Sequence, residues 1–205
     1  MDVQEKPKGK LRTGFTTGTS ATAASTAAIL SIINQKKIES VDVLLPKKDR
    51  IKININSCKF DKNKARCSVI KDGGDDPDVT HGAEIVVDLE LTTKPNSIEI
   101  DGGEGVGRVT KPGIGLEIGQ AAINPIPRKM ITENLTLTGK KILEKNGIKV
   151  VISVPKGKEL GPKTDNPRIG IVDGISILGT SGIVIPYSTA SFAAAIRQQI
   201  DVVVS

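Results

Sequence analysis

An acidic segment in the first half of the 205-residue chain, Lys71–Gly82 (KDGGDDPDVTHG), carries side chains suited to moving protons. It places the carboxylates of Asp75, Asp76 and Asp78 within four residues, and the only histidine, His81, follows. Carboxylates this close raise one another's pKa, and histidine titrates near neutral pH. Asp76, Asp78 and His81 are therefore candidate catalytic residues for proton removal. The competing interpretation is a solvated turn capped by Asp side chains, with a structural histidine.

A second candidate site precedes the first predicted helix. The segment Thr13–Ser20 holds four threonines and two glycines, and Thr17 or Thr19 is the expected helix cap. Helix N-termini offer unpaired N–H groups and a partial positive charge, which can bind an anion together with neighbouring hydroxyls. Thr16, Thr17, Gly18 and Thr19 are therefore candidate substrate-binding residues. Helix capping alone is the competing interpretation.

The glycine run Gly102–Gly107 (GGEGVG) matches no nucleotide-binding fingerprint. It lacks the last glycine of the dinucleotide motif and the Lys-Ser/Thr pair of the P-loop. One interpretation is a set of tight turns that need positive φ. The other is a backbone wall without side chains, which a bulky ligand could approach along Gly103, Gly105 and Gly107.

Two further segments combine asparagine, proline and a cation: Asn124–Lys129 (NPIPRK) and Asn166–Arg168 (NPR). Asparagine caps helices and proline suits the first helical turn, so helix initiation is the default interpretation. The functional alternative uses Arg128 and Arg168 as bidentate partners for ligand carboxylates.

The hydrophobic pattern places these motifs between short strands and a few helices. Alanine-rich residues 21–34 predict a buried helix, and alternating apolar residues predict early strands that pair as hairpins. The later predicted elements are helices at Arg128–Thr136 and Ser188–Gln199, a helical or turn-like segment at Thr138–Asn146, a buried strand at Ile148–Val154 and a last strand at Ile200–Val204. Strands and helices do not alternate regularly, so we predict an α+β fold with a mixed or antiparallel sheet and packed helices.

Three regions are expected along the chain. Residues 1–10 form a flexible tail, residues 11–195 one α+β domain, and residues 196–205 the start of a C-terminal α/β domain that this chain does not complete. No apolar run reaches the roughly 18 residues needed to cross a bilayer, and the N-terminus lacks the pattern of a secretory signal. We therefore expect a cytoplasmic protein without a membrane partner.

The charge balance favours an anionic ligand. The chain has 29 Lys and Arg against 23 Asp and Glu, a net charge of +6. RNA modules stack bases on aromatic side chains, but this chain has one Tyr, three Phe and no Trp. A small polyanion therefore fits at least as well as a nucleic acid. Two cysteines and one histidine are too few for a structural zinc site, so no protein-bound metal is expected.

Five segments together resemble, in order and spacing, the cobalt-precorrin-5B C1-methyltransferases, the CbiD family of anaerobic cobalamin (vitamin B12) biosynthesis. They are Leu11–Ala24 (LRTGFTTGTSATAA), Lys71–Ile85 (KDGGDDPDVTHGAEI), Gly102–Ile131 (GGEGVGRVTKPGIGLEIGQAAINPIPRKMI), Asn166–Val184 (NPRIGIVDGISILGTSGIV) and Ala193–Asp201 (AAAIRQQID). Long compound motifs of this kind are more specific than any single glycine run. The resemblance covers most of residues 11–201 and implies a CbiD-like N-terminal domain.

The resemblance also implies a reaction. S-adenosylmethionine gives its methyl group to C1 of cobalt-precorrin-5B, which forms cobalt-precorrin-6A, and cobalt enters only as part of the substrate. The corrinoid carries acetate and propionate arms, which agrees with a basic protein. One departure is Ser20, where many relatives are expected to have Cys after TTGT. Relatives are also expected to continue well beyond residue 205.

Residue roles follow from combining the resemblance with the chemistry above. We expect Thr16, Thr17, Thr19, Arg128 and Arg168 to hold carboxylate arms, and the acidic segment to remove a proton or contact the methyl donor. The acidic, threonine and glycine segments should surround one cleft. The alternative is a non-catalytic α+β module that binds anions or RNA. A homo-oligomer is compatible with either interpretation.

Overall fold

The structure, a computed structural model, describes residues 9–205 and has the predicted α+β fold. Most of the predicted tail therefore lies outside the described residues. The strands are β1 Gly14–Phe15, β2 Ser40–Leu44, β3 Arg50–Asn54, β4 Ser57–Phe60, β5 Lys64–Ile70, β6 Glu84–Thr92, β7 Ile98–Gly102, β8 Arg108–Val109, β9 Gly147–Ser153, β10 Ile171–Val172 and β11 Ile183–Val184. The helices are α1 Thr17–Asn34, α2 Pro125–Leu143, α3 Gly157–Leu160 and α4 Thr189–Val204, with 3₁₀ turns at Gly161–Lys163 and Asn166–Ile169.

The main sheet has five strands in the order β4-β5-β6-β9-β7. All neighbours are antiparallel except β7 and β9, which are parallel, so the sheet is mixed as predicted. Alternation along β5 and β6 explains its two faces. Cys67 and Val87 are paired in register and buried, whereas their neighbours Arg66 and Asp88 form an ion pair on the outer face.

Helix α1 is buried along almost its whole length. Fifteen of its eighteen residues are buried, and it packs against β5 and β6, α2 and the β2–β3 hairpin. Small side chains permit this close approach. Its hydroxyls bond back to the helix, as Thr22 does to Gly18 O and Ser25 to Ala21 O. The cap is Thr16, whose Oγ1 accepts from Thr19 N at 3.2 Å, so the predicted cap at Thr17 or Thr19 is wrong.

Helix α2 spans both the helix predicted at Arg128–Thr136 and most of the helical or turn-like segment predicted at Thr138–Asn146, with a kink between them. Gly139 has non-helical angles (φ −100°, ψ 17°) inside it, which explains the apparent break in the sequence pattern. A Cβ at Gly139 would lie 3.2 Å from Ile29 Cγ1, so glycine lets α2 approach α1 closely. Asn134 joins α2 to β2 because its amide exchanges hydrogen bonds of 2.9 and 3.0 Å with the backbone of Leu44.

The C-terminal prediction of a strand at Ile200–Val204 is wrong, because these residues are the last turns of α4. The apolar residues Phe192, Ile196, Ile200 and Val203 recur at helical spacing, and this period outweighs the β-branched composition of the last residues. Helix α4 runs across the predicted boundary between residues 195 and 196. That a C-terminal domain begins there stays a prediction.

The glycine run serves internal backbone packing. A Cβ at Gly105 would lie 1.9 Å from Val154 O, and a Cβ at Gly174 would lie 2.2 Å from Gly105 O. Ile175 N donates to Gly105 O at 3.0 Å, and Gly107 N donates to Ile175 O at 2.9 Å. Gly105 also has φ of +69°, as the tight-turn interpretation expects.

We predict that Gly174→Ala destabilises the fold by about 3 kcal/mol or more, because the new methyl group meets only backbone atoms, which cannot rotate away. Gly73→Ala is the matched control, since its Cβ would make ordinary contacts at 3.5 Å and its φ is not positive. Urea denaturation would measure both variants. Equal stability of the two would contradict the packing role of Gly174.

Candidate functional site

A cavity of about 550 Å³ lies where three of the sequence motifs meet. Its walls come from the start of α1, the acidic segment and residues 162–178, with α4 at one side. The lining residues are Thr16, Thr17, Lys71, Pro77, Asp78, Val79, Thr80, Pro162, Lys163, Thr164, Asp165, Asn166, Pro167, Arg168, Ile169, Ile175, Ser176, Leu178, Val184, Ala195 and Gln198. The volume falls within the roughly 300–1,000 Å³ typical of small-molecule sites.

Two other concave surfaces have similar volumes but different walls. One, of about 510 Å³, lies on the outer face of the sheet, where charged residues such as Arg66 and Asp88 line it. The other, of about 520 Å³, lies beside the end of α1 and the kink of α2. Neither is lined by a predicted site residue, so the cavity at the start of α1 is the candidate site.

The start of α1 is closed by the segment 176–182. Thr17 Oγ1 contacts Ser176 O at 3.1 Å and accepts from Leu178 N at 2.9 Å, while Thr19 Oγ1 donates to Gly182 O at 2.7 Å. These hydroxyls are therefore engaged with backbone. Thr16 and Thr17 line the cavity, but Thr19 is buried behind it.

Two backbone donors beside these hydroxyls are occupied as well. Thr16 N donates to Gly182 O and Gly18 N to Leu178 O, both at 3.0 Å. A Cβ at Gly18 would lie 2.8 Å from Pro127 Cγ, so the glycine permits contact with α2. Thr19 N donates to Thr16 Oγ1, so protein atoms take most of the donors that an anion would use here. An anion site at this helix N-terminus stays a prediction.

Asp78 is the predicted catalytic residue that lines the cavity. It forms an ion pair with Lys71, whose side chain is 2% exposed, and accepts from Thr80 N at 2.7 Å and Thr80 Oγ1 at 2.6 Å. Burial raises the pKa of Asp78, but the charge of Lys71 and the hydrogen bonds outweigh burial and lower it below the ordinary value. We expected neighbouring carboxylates to raise the pKa of Asp78, but the pKa is lowered and Asp78 stays ionised at neutral pH.

Asp76 and His81 lie in the same loop but outside the cavity lining. Asp76 Oδ1 accepts from Tyr187 N at 2.8 Å, which ties the acidic segment to the residues before α4. His81 Nδ1 accepts from Gly73 N at 3.0 Å, and the histidine side chain is 53% exposed. The structure gives both residues loop contacts, and a catalytic role for either stays a prediction.

The two Asn-Pro segments separate in the structure. Arg128 lies outside the cavity lining, and its guanidinium donates to Ile123 O at 3.0 Å and to Ile100 O at 2.8 Å. Burial lowers the pKa of Arg128. Arg168 lines the cavity, is about half exposed and pairs with Asp165 at 3.1 Å. Arg168 is thus the better placed of the two for a ligand carboxylate.

The expectation of one cleft shared by three segments is wrong for the glycine segment. Gly103, Gly105 and Gly107 are absent from the cavity lining, because they pack against Val151, Val154 and the backbone near Gly174. The acidic and threonine segments do meet, and the third wall is the segment from Pro162 to Leu178.

Two lining residues, Lys71 and Asn166, were not among the predicted site residues. Lys71 could have been found, since it continues the inward positions Ala65, Cys67 and Val69 of β5 at the same period of two. Asn166 was read as a cap, but its amide is buried. It donates to Gly174 O and accepts from Ser176 Oγ, both at 2.9 Å.

The CbiD family model matches residues 3–186. The chain belongs to the CbiD family. Proteins named cobalt-precorrin-5B C(1)-methyltransferase resemble it closely: that of Geobacillus kaustophilus is 49% identical over 95% of this chain, and that of Leptospira interrogans (strain Fiocruz L1-130) is 50% identical over 94%. The chain covers 52% of each of these relatives, so it spans about half their length.

The fold is shared with a solved CbiD structure. The 1.9 Å crystal structure of the cobalamin biosynthesis protein (cbiD) from Archaeoglobus fulgidus superposes with a TM-score of 0.66 at 33% sequence identity. The match covers 93% of this chain and 60% of that one. The CbiD-like α+β fold expected from the sequence is therefore confirmed.

Residues 9–205 lack two features, a cluster of metal-ligating side chains and a membrane-spanning helix. No group of three or more His, Cys, Asp and Glu side chains in this range is placed to hold a metal ion. None of the helices in the same range combines the length and apolar character needed to cross a membrane.

We predict that Asp78→Asn lowers stability at neutral pH by about 3 kcal/mol, because it leaves the buried Lys71 without its counter-charge. The folded-state pKa of Asp78 is depressed, so its contribution is present above the unfolded value of about 3.9 and is lost as pH falls through the folded pKa. Between about pH 5 and 2 the melting temperature of the variant should therefore fall less steeply with decreasing pH than that of the unmodified chain.

Asp88→Asn provides the control, since Asp88 and Arg66 form an exposed pair worth at most about 1 kcal/mol. Melting temperatures across the pH range would be compared for both variants and the unmodified chain. An Asp78→Asn profile parallel to that of the unmodified chain would contradict the stabilising role of the pair.

Proposed function

We propose that this chain is the substrate-holding part of a cobalt-precorrin-5B C1-methyltransferase of anaerobic cobalamin biosynthesis. The enzyme would methylate C1 of the corrinoid with S-adenosylmethionine and so form cobalt-precorrin-6A. Membership of the CbiD family and the names of relatives with 48–50% identity support this proposal. The observation that carries it is the cavity formed where three of the family-like segments meet.

The proposed reaction asks little covalent chemistry of the protein. S-adenosylmethionine supplies an activated methyl group, which C1 of the corrinoid accepts while the C–S electron pair leaves with sulfur. The work of the protein is then alignment of the reactants and exclusion of water. Apolar walls at Val79, Ile175 and Leu178 suit the macrocycle, and ionised Asp78 is a fixed charge in the wall.

Cations in the wall suit the carboxylate arms of the proposed substrate. Lys163 and Arg168 stand in the third wall, and Asp165, the partner of Arg168, partly offsets their charge. Arg168 is half exposed, so an arriving carboxylate can compete with Asp165 for the guanidinium at modest cost. The cavity lining therefore has three cations, Lys71, Lys163 and Arg168, against two carboxylates, Asp78 and Asp165.

Location and assembly follow the same proposal. We place the enzyme in the cytoplasm, because Cys58 and Cys67 face each other across β4 and β5 as free thiols, as a reducing compartment permits. Cobalt belongs to the substrate and not to the protein. Formation of a homo-oligomer and the position of the methyl-donor site remain predictions.

We predict that Arg168→Ala raises the Kd of this chain for cobalt-precorrin-5B by about 10–100-fold, the loss of one charge-assisted bond of about 1.5–3 kcal/mol. Arg128→Ala should leave that Kd within about threefold, because its guanidinium is occupied by Ile123 O and Ile100 O. Titration followed by corrinoid absorbance would give both constants.

The matched control is Arg66→Ala, which removes a cation from the outer face of the sheet. Methyl transfer from labelled S-adenosylmethionine would be assayed in parallel, with the Geobacillus kaustophilus relative as the positive reference. Equal weakening by Arg66→Ala and Arg168→Ala would point to non-specific attraction and against this cavity. Absence of corrinoid binding by the unmodified chain would refute the proposal.

A further inference from the structure

A buried lysine in the cavity wall has unused donor capacity. Lys71 is 2% exposed yet lines the cavity. Its ammonium carries three N–H donors. Among residues 9–205 the ammonium donates to one acceptor, Asp78 Oδ2, at 2.5 Å. Two donors are therefore left for a group inside the cavity.

The carboxylate of Asp78 is held in place by hydrogen bonds to both of its oxygens. Its Oδ1 accepts from Thr80 N and Thr80 Oγ1, and its Oδ2 accepts from Lys71. The hydroxyl of Thr17, which also lines the cavity, is engaged with the backbone of Ser176 and Leu178. Neither Asp78 nor Thr17 is therefore free to accept a hydrogen bond from the two remaining N–H groups of Lys71.

The Lys71–Asp78 ion pair contributes little to the stability of the fold for the charge that it buries. Removing two charges from water costs free energy that their mutual attraction only partly offsets. A hydrophobic pair of the same volume would generally stabilise the fold as well or better, so the ion pair adds little to stability by itself. The same desolvation strengthens the pull of Lys71 on an anion that enters the cavity. Lys163 and Arg168 in the neighbouring wall add to the positive potential.

We propose that Lys71 binds a carboxylate of the ligand and selects it over a neutral amide. This inference rests on the proposed function and names a subsite within it. The carboxylate belongs either to an arm of the corrinoid or to the amino-acid end of S-adenosylmethionine. A carboxylate forms an ion pair with the ammonium, whereas a primary amide offers only a neutral carbonyl oxygen, whose hydrogen bond to the ammonium is weaker. Asp78 acts as a positioning residue that holds the ammonium at the wall.

The test uses the double variant Lys71→Met/Asp78→Asn, which removes both charges and leaves no unpaired buried ion to unfold the chain. Arg66→Met/Asp88→Asn makes the same change in the exposed pair on the outer face of the sheet. Isothermal titration would use three probes with each protein: a cobalt corrinoid with free carboxylate arms, the same corrinoid with its arms converted to primary amides, and S-adenosylmethionine alone.

The expected result is a loss of about 10–100-fold in affinity for one carboxylate probe in the Lys71 double variant, the equivalent of one charge-assisted bond. The amide corrinoid should lose clearly less affinity in the Lys71 double variant than the carboxylate probe does. The Arg66 double variant should match the unmodified chain with every probe. A loss confined to the free-acid corrinoid assigns the subsite to a corrinoid arm. A loss confined to S-adenosylmethionine assigns it to the methyl donor.

Equal losses for the acid and amide corrinoids, or no loss for any probe, would overturn the carboxylate subsite. An unmodified chain that binds none of the three probes would overturn both the subsite and the proposed function. If the unmodified chain binds the corrinoids and the Lys71 double variant binds every probe equally well, the Lys71 subsite fails and the proposed function stands.

Discussion

Helix α1 has to be buried on every side, and much of the domain is arranged to satisfy that requirement. A buried helix leaves its first N–H groups and its hydroxyls without water, so protein atoms must satisfy them. Backbone carbonyls from Ser176 to Gly182 accept from Gly18 N and from the hydroxyls of Thr17 and Thr19. This pairing brings residues from late in the chain onto the start of the helix.

The same arrangement creates the cavity. Strand β5 packs on α1 and continues inward to Lys71, while the segment before Leu178 descends onto the helix start. The space between these two walls is the cavity, and Asn166 stiffens its far side through Gly174 and Ser176. The candidate site is thus a consequence of how the buried helix is closed. Part of its polar wall is held in place by the fold, because Thr17, Asp78 and Asn166 accept hydrogen bonds from Leu178 N, Thr80 N and Ser176 Oγ.

Local patterns predicted the class of fold, the hairpins and the burial of α1, because alternation and small-residue composition act over a few neighbours. Predictions from the sequence were less successful where a residue contacts backbone that is distant in the chain. Gly105 looked like a ligand wall, but it packs against Val154 and Gly174, and Arg128 looked like a carboxylate fork, but its partners are carbonyls. Ile200–Val204 showed that the spacing of apolar residues outweighs β-branched composition at a helix end.

We propose that the ligand binds in the cavity between the acidic segment and residues 162–178. Crystals of this chain grown with a cobalt corrinoid would locate the metal directly by its anomalous scattering. We predict a single cobalt peak in front of the wall formed by Lys71, Arg168 and Ser176. A peak beside Gly102–Gly107, or on the outer face of the sheet near Arg66, would contradict the claim.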